Sequence, residues 1–220
     1  MRILFITYNR LDFTIKAFKA LEKNTNADTE IIVIDNGSTD GTKEWLKIQK
    51  ERMDTKIWEL ILNEKNRGVA GAMNQFLDLT ASEEFVGKVD NDTIIPKNCF
   101  EELLKEVKEH NLDIIQAKHE VNCSFPSWDE WMATLKKDGN IYYSSFVGGS
   151  PIIIRRKVLK DSIKEEGGVW VWTKYQAQRP ELRIAFASNV NAHLLDMKGD
   201  NNPDYSEHLE YYFKTGRLKQ

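Results

Sequence analysis

The chain has 220 residues, with 31 Lys and Arg against 34 Asp and Glu for a net charge of −3, and 41% of its residues are hydrophobic and 30% charged. A chain of this length buries roughly 70% of the surface it exposes unfolded, which excludes a disordered segment or a mini-protein held together by disulfides. The balanced charge excludes nucleic acid or an anionic membrane bound by bulk electrostatics and leaves any phosphate binding to local groups.

Arg2 to Thr7 is a short apolar run closed by Tyr8, Asn9 and Arg10. It is too short for a signal-peptide core or a membrane span and predicts a strand buried on both faces. Leu11 to Leu21 sets Phe13, Ala17, Phe18, Ala20 and Leu21 on one helical stripe, and Glu30 to Asp35 is a second buried strand. Strand, helix, strand implies a parallel pair. The unit repeats, with helices over Thr39 to Gln49 and Ala70 to Leu79 and strands over Ile57 to Leu62 and Phe85 to Val89. A doubly wound α/β half, Rossmann-like with a mostly parallel sheet, is expected over about residues 1–110.

Beyond Pro96, Cys99 to His110 is an amphipathic helix and Asp113 to Ala117 a strand. Residues 122–145 lose the alternation and gather Trp128, Trp131, Tyr142 and Tyr143. Strand chemistry returns around Gly148 and Gly149, a helix is expected over Arg155 to Ile163, a strand over Arg183 to Asn189 leading to His193, and a terminal helix over Tyr205 to Leu218. With no repeat or linker, residues 1–220 read as a single domain whose half from about 111 to 220 is more irregular. Cys99 and Cys123 have no metal-type spacing and are expected to be reduced, partly buried thiols. The expected compartment is the cytoplasm, which is compatible with peripheral work at the inner face of the membrane on a lipid-linked substrate.

In an open parallel sheet, ligands bind beyond the carboxyl ends of the strands. Here those ends are Thr7-Tyr8-Asn9-Arg10, Asp35 to Thr42, Asn63 to Gly68 and Asp90-Asn91-Asp92-Thr93, all polar. Gly37 and Gly41 suit a turn, and Ser38, Thr39 or Asp40 suit a helix cap. Asp35, at the buried end of a strand, asks for a hydrogen-bonding partner or a ligand donor. Arg67 stands at a helix N-terminus, where anions bind. Asp90 and Asp92 offer hard oxygen ligands for Mg²⁺ or Mn²⁺, which needs one or two carboxylates together with a substrate diphosphate. A divalent ion would supply the positive charge that the composition lacks.

Ile6-Thr7-Tyr8-Asn9-Arg10, Val33 to Thr42, Asn66-Arg67-Gly68 with Gly71 and Asn74, and Asp90-Asn91-Asp92, in that order, resemble the GT-A glycosyltransferases of the family 2 type. The second half matches more loosely, through Val147-Gly148-Gly149, Ile154-Arg155-Arg156 and His193. The resemblance implies a GT-A fold and a nucleotide-diphospho-sugar donor, UDP-linked before others, with a glycan or lipid-linked acceptor. Thr7, Asn9, Arg10 and Arg67 would border the nucleotide, Asp35 would bind the base, and Asp90 and Asn91 would lie on the donor, with Asp90 near ribose and metal. Asp92 and His193 would hold the metal.

Inverting members of such families carry an acidic pair after the Arg-Arg position, where one carboxylate deprotonates the acceptor hydroxyl. Here that place holds Trp172-Thr173-Lys174-Tyr175-Gln176, without a carboxylate. Asp129, Glu130, Glu165, Glu166 and Asp196 lie elsewhere, and no catalytic base is assigned. Inversion or retention therefore stays open, as does oligomeric state. Trp128, Trp131, Trp170 and Trp172, with Tyr142 and Tyr143, suit either sugar stacking or packing of the smaller half. Two rivals remain: a sugar-nucleotide-forming nucleotidyltransferase, which should carry a glycine-rich basic loop after strand one, and a non-catalytic nucleotide-sugar-binding module.

Overall fold

The computed structural model describes residues 1–119, 132–159, 163, 172, 175–176 and 178–195. Its elements are β1 (Arg2–Thr7), α1 (Leu11–Asn24), β2 (Glu30–Asp35), α2 (Thr42–Lys50), β3 (Ile57–Leu62), α3 (Gly68–Asp78), β4 (Phe85–Asp90), β5 (Thr93–Ile94), α4 (Cys99–Glu109), β6 (Ile114–His119), β7 (Lys136–Asp138), β8 (Ile141–Ser144), β9 (Ile152–Arg155) and β10 (Ile184–Leu194). No described helix is long and apolar enough to cross a membrane.

The strands form one sheet in the order β3-β2-β1-β4-β9-β6-β10-β8-β7, with β5 paired to the end of β10. The first four in that order run parallel, as the strand, helix, strand repeats require. β9 enters antiparallel between β4 and β6, and β10 runs parallel to β6 and antiparallel to β8. The irregular stretch thus contains a hairpin, β7 and β8, that the sequence did not signal; it turns at Gly139, whose φ of +58° is left-handed.

Alternate residues of each buried strand face opposite layers. Ile3, Phe5, Ile31, Val33 and Val89 pack with Phe18, Leu21, Leu46, Phe100 and Leu103 on the face of α1, α2 and α4. Leu4, Ile6, Ile32, Ile34 and Val86 pack with Met73 and Phe76 of α3 on the other. Phe18 meets Phe5 edge-on at 5.5 Å and Trp45 at 5.6 Å between ring centroids, so its truncation would cost about 4 kcal/mol. Cys99 is buried in this layer, and burial pushes its thiol up, leaving it unreactive.

Several boundaries depart from expectation: β10 runs on to Leu194 rather than Asn189, α1 to Asn24 rather than Leu21, and α3 starts at Gly68 rather than Ala70, while two further departures have a plain local cause. α2 starts at Thr42 rather than Thr39, because Gly41 is left-handed at φ +93° and the Asp40 carboxylate accepts from the Thr42 N–H at 3.1 Å. The helix expected from Arg155 is a single 3₁₀ turn, Arg156–Val158. Arg155 is instead the last residue of β9, with its N–H on the Asp113 carbonyl at 2.7 Å, and the Val158 carbonyl accepts from the Tyr175 hydroxyl at 3.0 Å rather than from a next helical turn. The expected helix over 205–218, like Cys123, lies outside the described residues.

Candidate functional site

Register brings the strand ends level: Thr7 lies opposite Asp35 across β1 and β2, and Ile6 opposite Asp90 across β1 and β4. The loops that follow are tied to each other. Asn9 and Arg10 are both left-handed, at φ 54° and 58°, a conformation Asn tolerates and Arg rarely adopts. Three bonds hold that turn: the Asn9 N–H on Ser38 Oγ at 2.7 Å, the Thr39 N–H on Asn9 Oδ1 at 2.8 Å, and the Leu11 N–H on Asp40 Oδ2 at 2.9 Å. Although partial burial works against ionisation, hydrogen bonds from the Thr42 hydroxyl and from the Leu11 and Thr42 N–H groups keep the Asp40 carboxyl below its ordinary value.

Asp35 is fully buried, and its partner is its own loop. Oδ2 accepts from the N–H groups of Gly37 at 3.0 Å and Ser38 at 2.9 Å, and Oδ1 accepts the Ser38 hydroxyl. Gly37 is needed there twice over: φ is +85°, and a Cβ would lie 3.0 Å from the Lys65 backbone. Thr7 and Asn91 are buried too. Asn91 Nδ2 reaches Thr14 Oγ1 at 2.9 Å, the Asn9 carbonyl at 3.0 Å and Thr7 Oγ1 at 3.3 Å, so these two residues support the floor of the site.

The acidic triplet holds the charged part of the site. Asp92 Oδ2 lies 3.2 Å from Nη1 of Arg10, with both side chains about a quarter exposed. Asp90 Oδ1 lies 2.5 Å from the ammonium of Lys88, whose side chain is only 2% exposed. Lys88 also donates to the Gly149 carbonyl at 2.6 Å. From the Asp90 N–H a relay of hydroxyls runs through Ser150 Oγ at 2.9 Å and Thr93 Oγ1 at 2.9 Å to Asp92 Oδ1 at 3.3 Å.

The far half of the chain reaches the triplet through β10. His193 pairs with Ile94 and Leu194 with Thr93, and the Leu195 N–H donates to the Asp92 carbonyl at 2.8 Å. His193 is thereby held on the strand next to Asp92. Among the described residues no group of three or more His, Cys, Asp and Glu is arranged to hold a metal. Arg67 is the N-cap residue of α3, and its carbonyl accepts from the Gly71 N–H at 3.3 Å.

Sequence reasoning missed Lys88, because one cation in an apolar strand reads as a residue facing solvent; its place two residues before Asp90, on the same face of β4, was the available signal. It also passed over Tyr8, a 46% exposed ring at the mouth between Thr7 and Asn9. Where a carboxylate pair was sought, Gln176 makes two bonds with one residue, accepting from the Val147 N–H and donating to the Val147 carbonyl, each at 3.0 Å. Trp172 donates to the Gly148 carbonyl at 2.7 Å and stacks on Tyr175 at 5.8 Å, which makes it a packing residue. Trp128, Asp129, Glu130, Trp131, Glu165, Glu166, Trp170 and Asp196 lie outside the described residues.

Residues 3–162 match the family model described as glycosyl transferase family 2. Glycosyltransferase GlyG of Streptococcus pneumoniae is 25% identical over 166 residues, covering 74% of this chain and 48% of that protein. The Escherichia coli protein WfgD, named as a UDP-Glc:alpha-D-GlcNAc-diphosphoundecaprenol beta-1,3-glucosyltransferase, is 29% identical over 119 residues, covering 54% of this chain and 45% of that one. The chain thus spans about half the length of these relatives or less. In structure it resembles the Pyrobaculum calidifontis mannosyltransferase PcManGT in complex with GDP-Man and Mn²⁺, with a TM-score of 0.72 and 17% identity over 100% of this chain and 64% of the other, a likeness of fold.

Proposed function

Since the chain belongs to glycosyl transferase family 2 and has the GT-A fold, we propose that it moves a sugar from a nucleotide-diphospho-sugar, UDP-linked, to a glycan or lipid-linked acceptor. The observation that carries this reading is the convergence of the β1, β2 and β4 ends on one rim, where Arg10 meets Asp92 and Lys88 meets Asp90. The donor named for WfgD and the bound GDP-Man of PcManGT support a nucleotide-sugar.

Each group has a task in that reaction. The exposed ring of Tyr8 offers a flat apolar surface to a base, beside an Asp35 loop whose backbone is already fixed. Arg10 precedes the first turn of α1, and Arg67 that of α3, so each adds a cation to a helix end that favours anions. Asp92 supplies a partly exposed carboxylate and His193 an imidazole on the neighbouring strand, a donor set suited to Mg²⁺ or Mn²⁺ completed by diphosphate oxygens. A bound divalent ion supplies Lewis-acid stabilisation of the charge that grows on the leaving nucleoside diphosphate. The Val147 to Ser150 segment, buried at its two ends and pinned by Gln176, Trp172 and Lys88, forms the wall next to Asp90.

Slow hydrolysis of a panel of UDP-, GDP- and dTDP-sugars with Mn²⁺ tests the proposal and identifies base and sugar together. Release of nucleoside diphosphate from one donor is expected. Release from none would point to a binding module instead.

A further inference from the structure

Lys88 lies on the same face of β4 as Val86 and Asp90, toward the α3 layer, in register with Ile152 of β9 and, through it, with Gln116 of β6. Lys88, Ile152 and Gln116 are all buried. A buried ammonium needs a counter-charge and full hydrogen bonding. Lys88 finds one carboxylate oxygen, Asp90 Oδ1, and one carbonyl, that of Gly149. The approach is close enough that a Cβ on Gly149 would lie 3.2 Å from both Lys88 Nζ and Asp90 Oδ2. Glycine is thus the residue that lets this backbone lie over the pair.

The two carboxylates of the triplet are therefore not equivalent. Asp92 is matched to Arg10, a side chain about a quarter exposed on a neighbouring loop, whereas Asp90 is matched to a cation sealed inside the sheet. We propose that Lys88 is a positioning residue: it fixes Asp90 through Oδ1 and turns Oδ2 toward the donor, so that Asp90 accepts a donor hydroxyl while Asp92 alone serves the cation. This rests on the transferase reading above. The Asp90 side chain keeps 29% of its exposure and only Oδ1 is taken by the lysine, so Oδ2, beside which Gly149 carries no side chain, is the oxygen assigned to the ligand.

The test uses Lys88→Met, which keeps the length and apolar stem of the side chain, Asp90→Asn, and the double variant, each checked for a cooperative melt. The probe is whichever of UDP, GDP and dTDP binds the unaltered chain most tightly with Mn²⁺, titrated by calorimetry; Mn²⁺ alone is titrated by electron paramagnetic resonance. Lys88→Met and Asp90→Asn should each weaken nucleotide binding about 10-fold, and the double variant should be no weaker than the worse single one, because the lysine acts through the carboxylate. Lys88→Met should also bind Mn²⁺ alone several-fold more tightly, since Asp90 is then released to the ion; a loosened fold would weaken both ligands. Additive losses in folded variants, or a Lys88→Met protein that binds nucleotide as the unaltered chain does, would overturn the proposal. An unaltered chain that binds none of the three nucleotides would remove the transferase reading and this inference with it.

Discussion

Arg10 and Asp92 come from loops 82 positions apart and meet at 3.2 Å across the mouth of the site. A single partly exposed pair of this kind is worth about 0.5 kcal/mol, so its purpose is not stability. Asp92→Ala should lower donor hydrolysis about 100-fold by removing a charged group from the diphosphate site, while the melting temperature moves by less than about 4 °C. Hydrolysis assays and calorimetry on the same preparation check both halves, and an unchanged rate would sink the role of Asp92.

Asp35 should behave in the opposite way. Its two oxygens accept three bonds from Gly37 and Ser38 without exposure, and truncation leaves two N–H groups without their acceptor. Asp35→Ala is expected to cost about 3 kcal/mol in chemical denaturation, in addition to any loss of nucleotide binding. A stability loss below about 1 kcal/mol would mean the loop does not depend on this carboxylate.

Asp40 gives the site a pH dependence with a definite sign. Its carboxyl is held below the ordinary value, so its contribution is present above the unfolded-state pKa and disappears as pH falls through the lower folded-state one. Asp40→Asn should therefore reduce stability at neutral pH, with the gap from the unaltered chain closing under acid. Melting curves from neutral pH down to about pH 3 would reveal a constant gap if the carboxylate were irrelevant.

Gln176→Glu places a carboxylate at the sequence position where one is absent, but the geometry argues against any gain. The glutamine amide both accepts from and donates to Val147. A glutamate could only accept, and would face the Val147 carbonyl with a charge. A loss of about 2 kcal/mol and no rise in transfer are expected, measured by urea denaturation and product release.

Chelation and salt should separate cleanly. A net charge of −3 gives the chain no overall positive field to draw in an anionic donor, so EDTA should stop donor turnover, whereas raising NaCl to about 0.3 M should change it less than about 3-fold. Turnover that survives EDTA would assign the leaving-group charge to Arg10 and Arg67 instead.

The first half of the fold was legible because its strands are buried on both faces and spell continuous apolar runs, with polar residues only where they end. Ile57–Leu62 was read to the residue, and the level ends of β1, β2 and β4 followed from the parallel order. The far half was less readable for a physical reason: its strands pair over long distances rather than through repeating units. β5 is two residues long, and it exists because β10 runs on to meet it. Within the site, Asp35 asked for a partner and received one from Ser38, but which carboxylate faces Lys88 and which faces Arg10 depends on side-chain layers that no local pattern encodes.

β9 carries a consequence for how the molecule is made. It is the central plank of the sheet, yet it is synthesised after the two strands it joins, at residues 152–155. While the chain emerges from the ribosome, β4 and β6 each wait with a row of unsatisfied backbone groups for a late insert, a state open to association with other nascent chains. The rim at Asp90 is finished in the same event, because Gly149 and Ser150 arrive immediately ahead of the plank. β10 arrives later still, so birth order finishes the Asp90 side of the site with β9 and the Asp92 side, with His193, only when β10 pairs to β6 and β5.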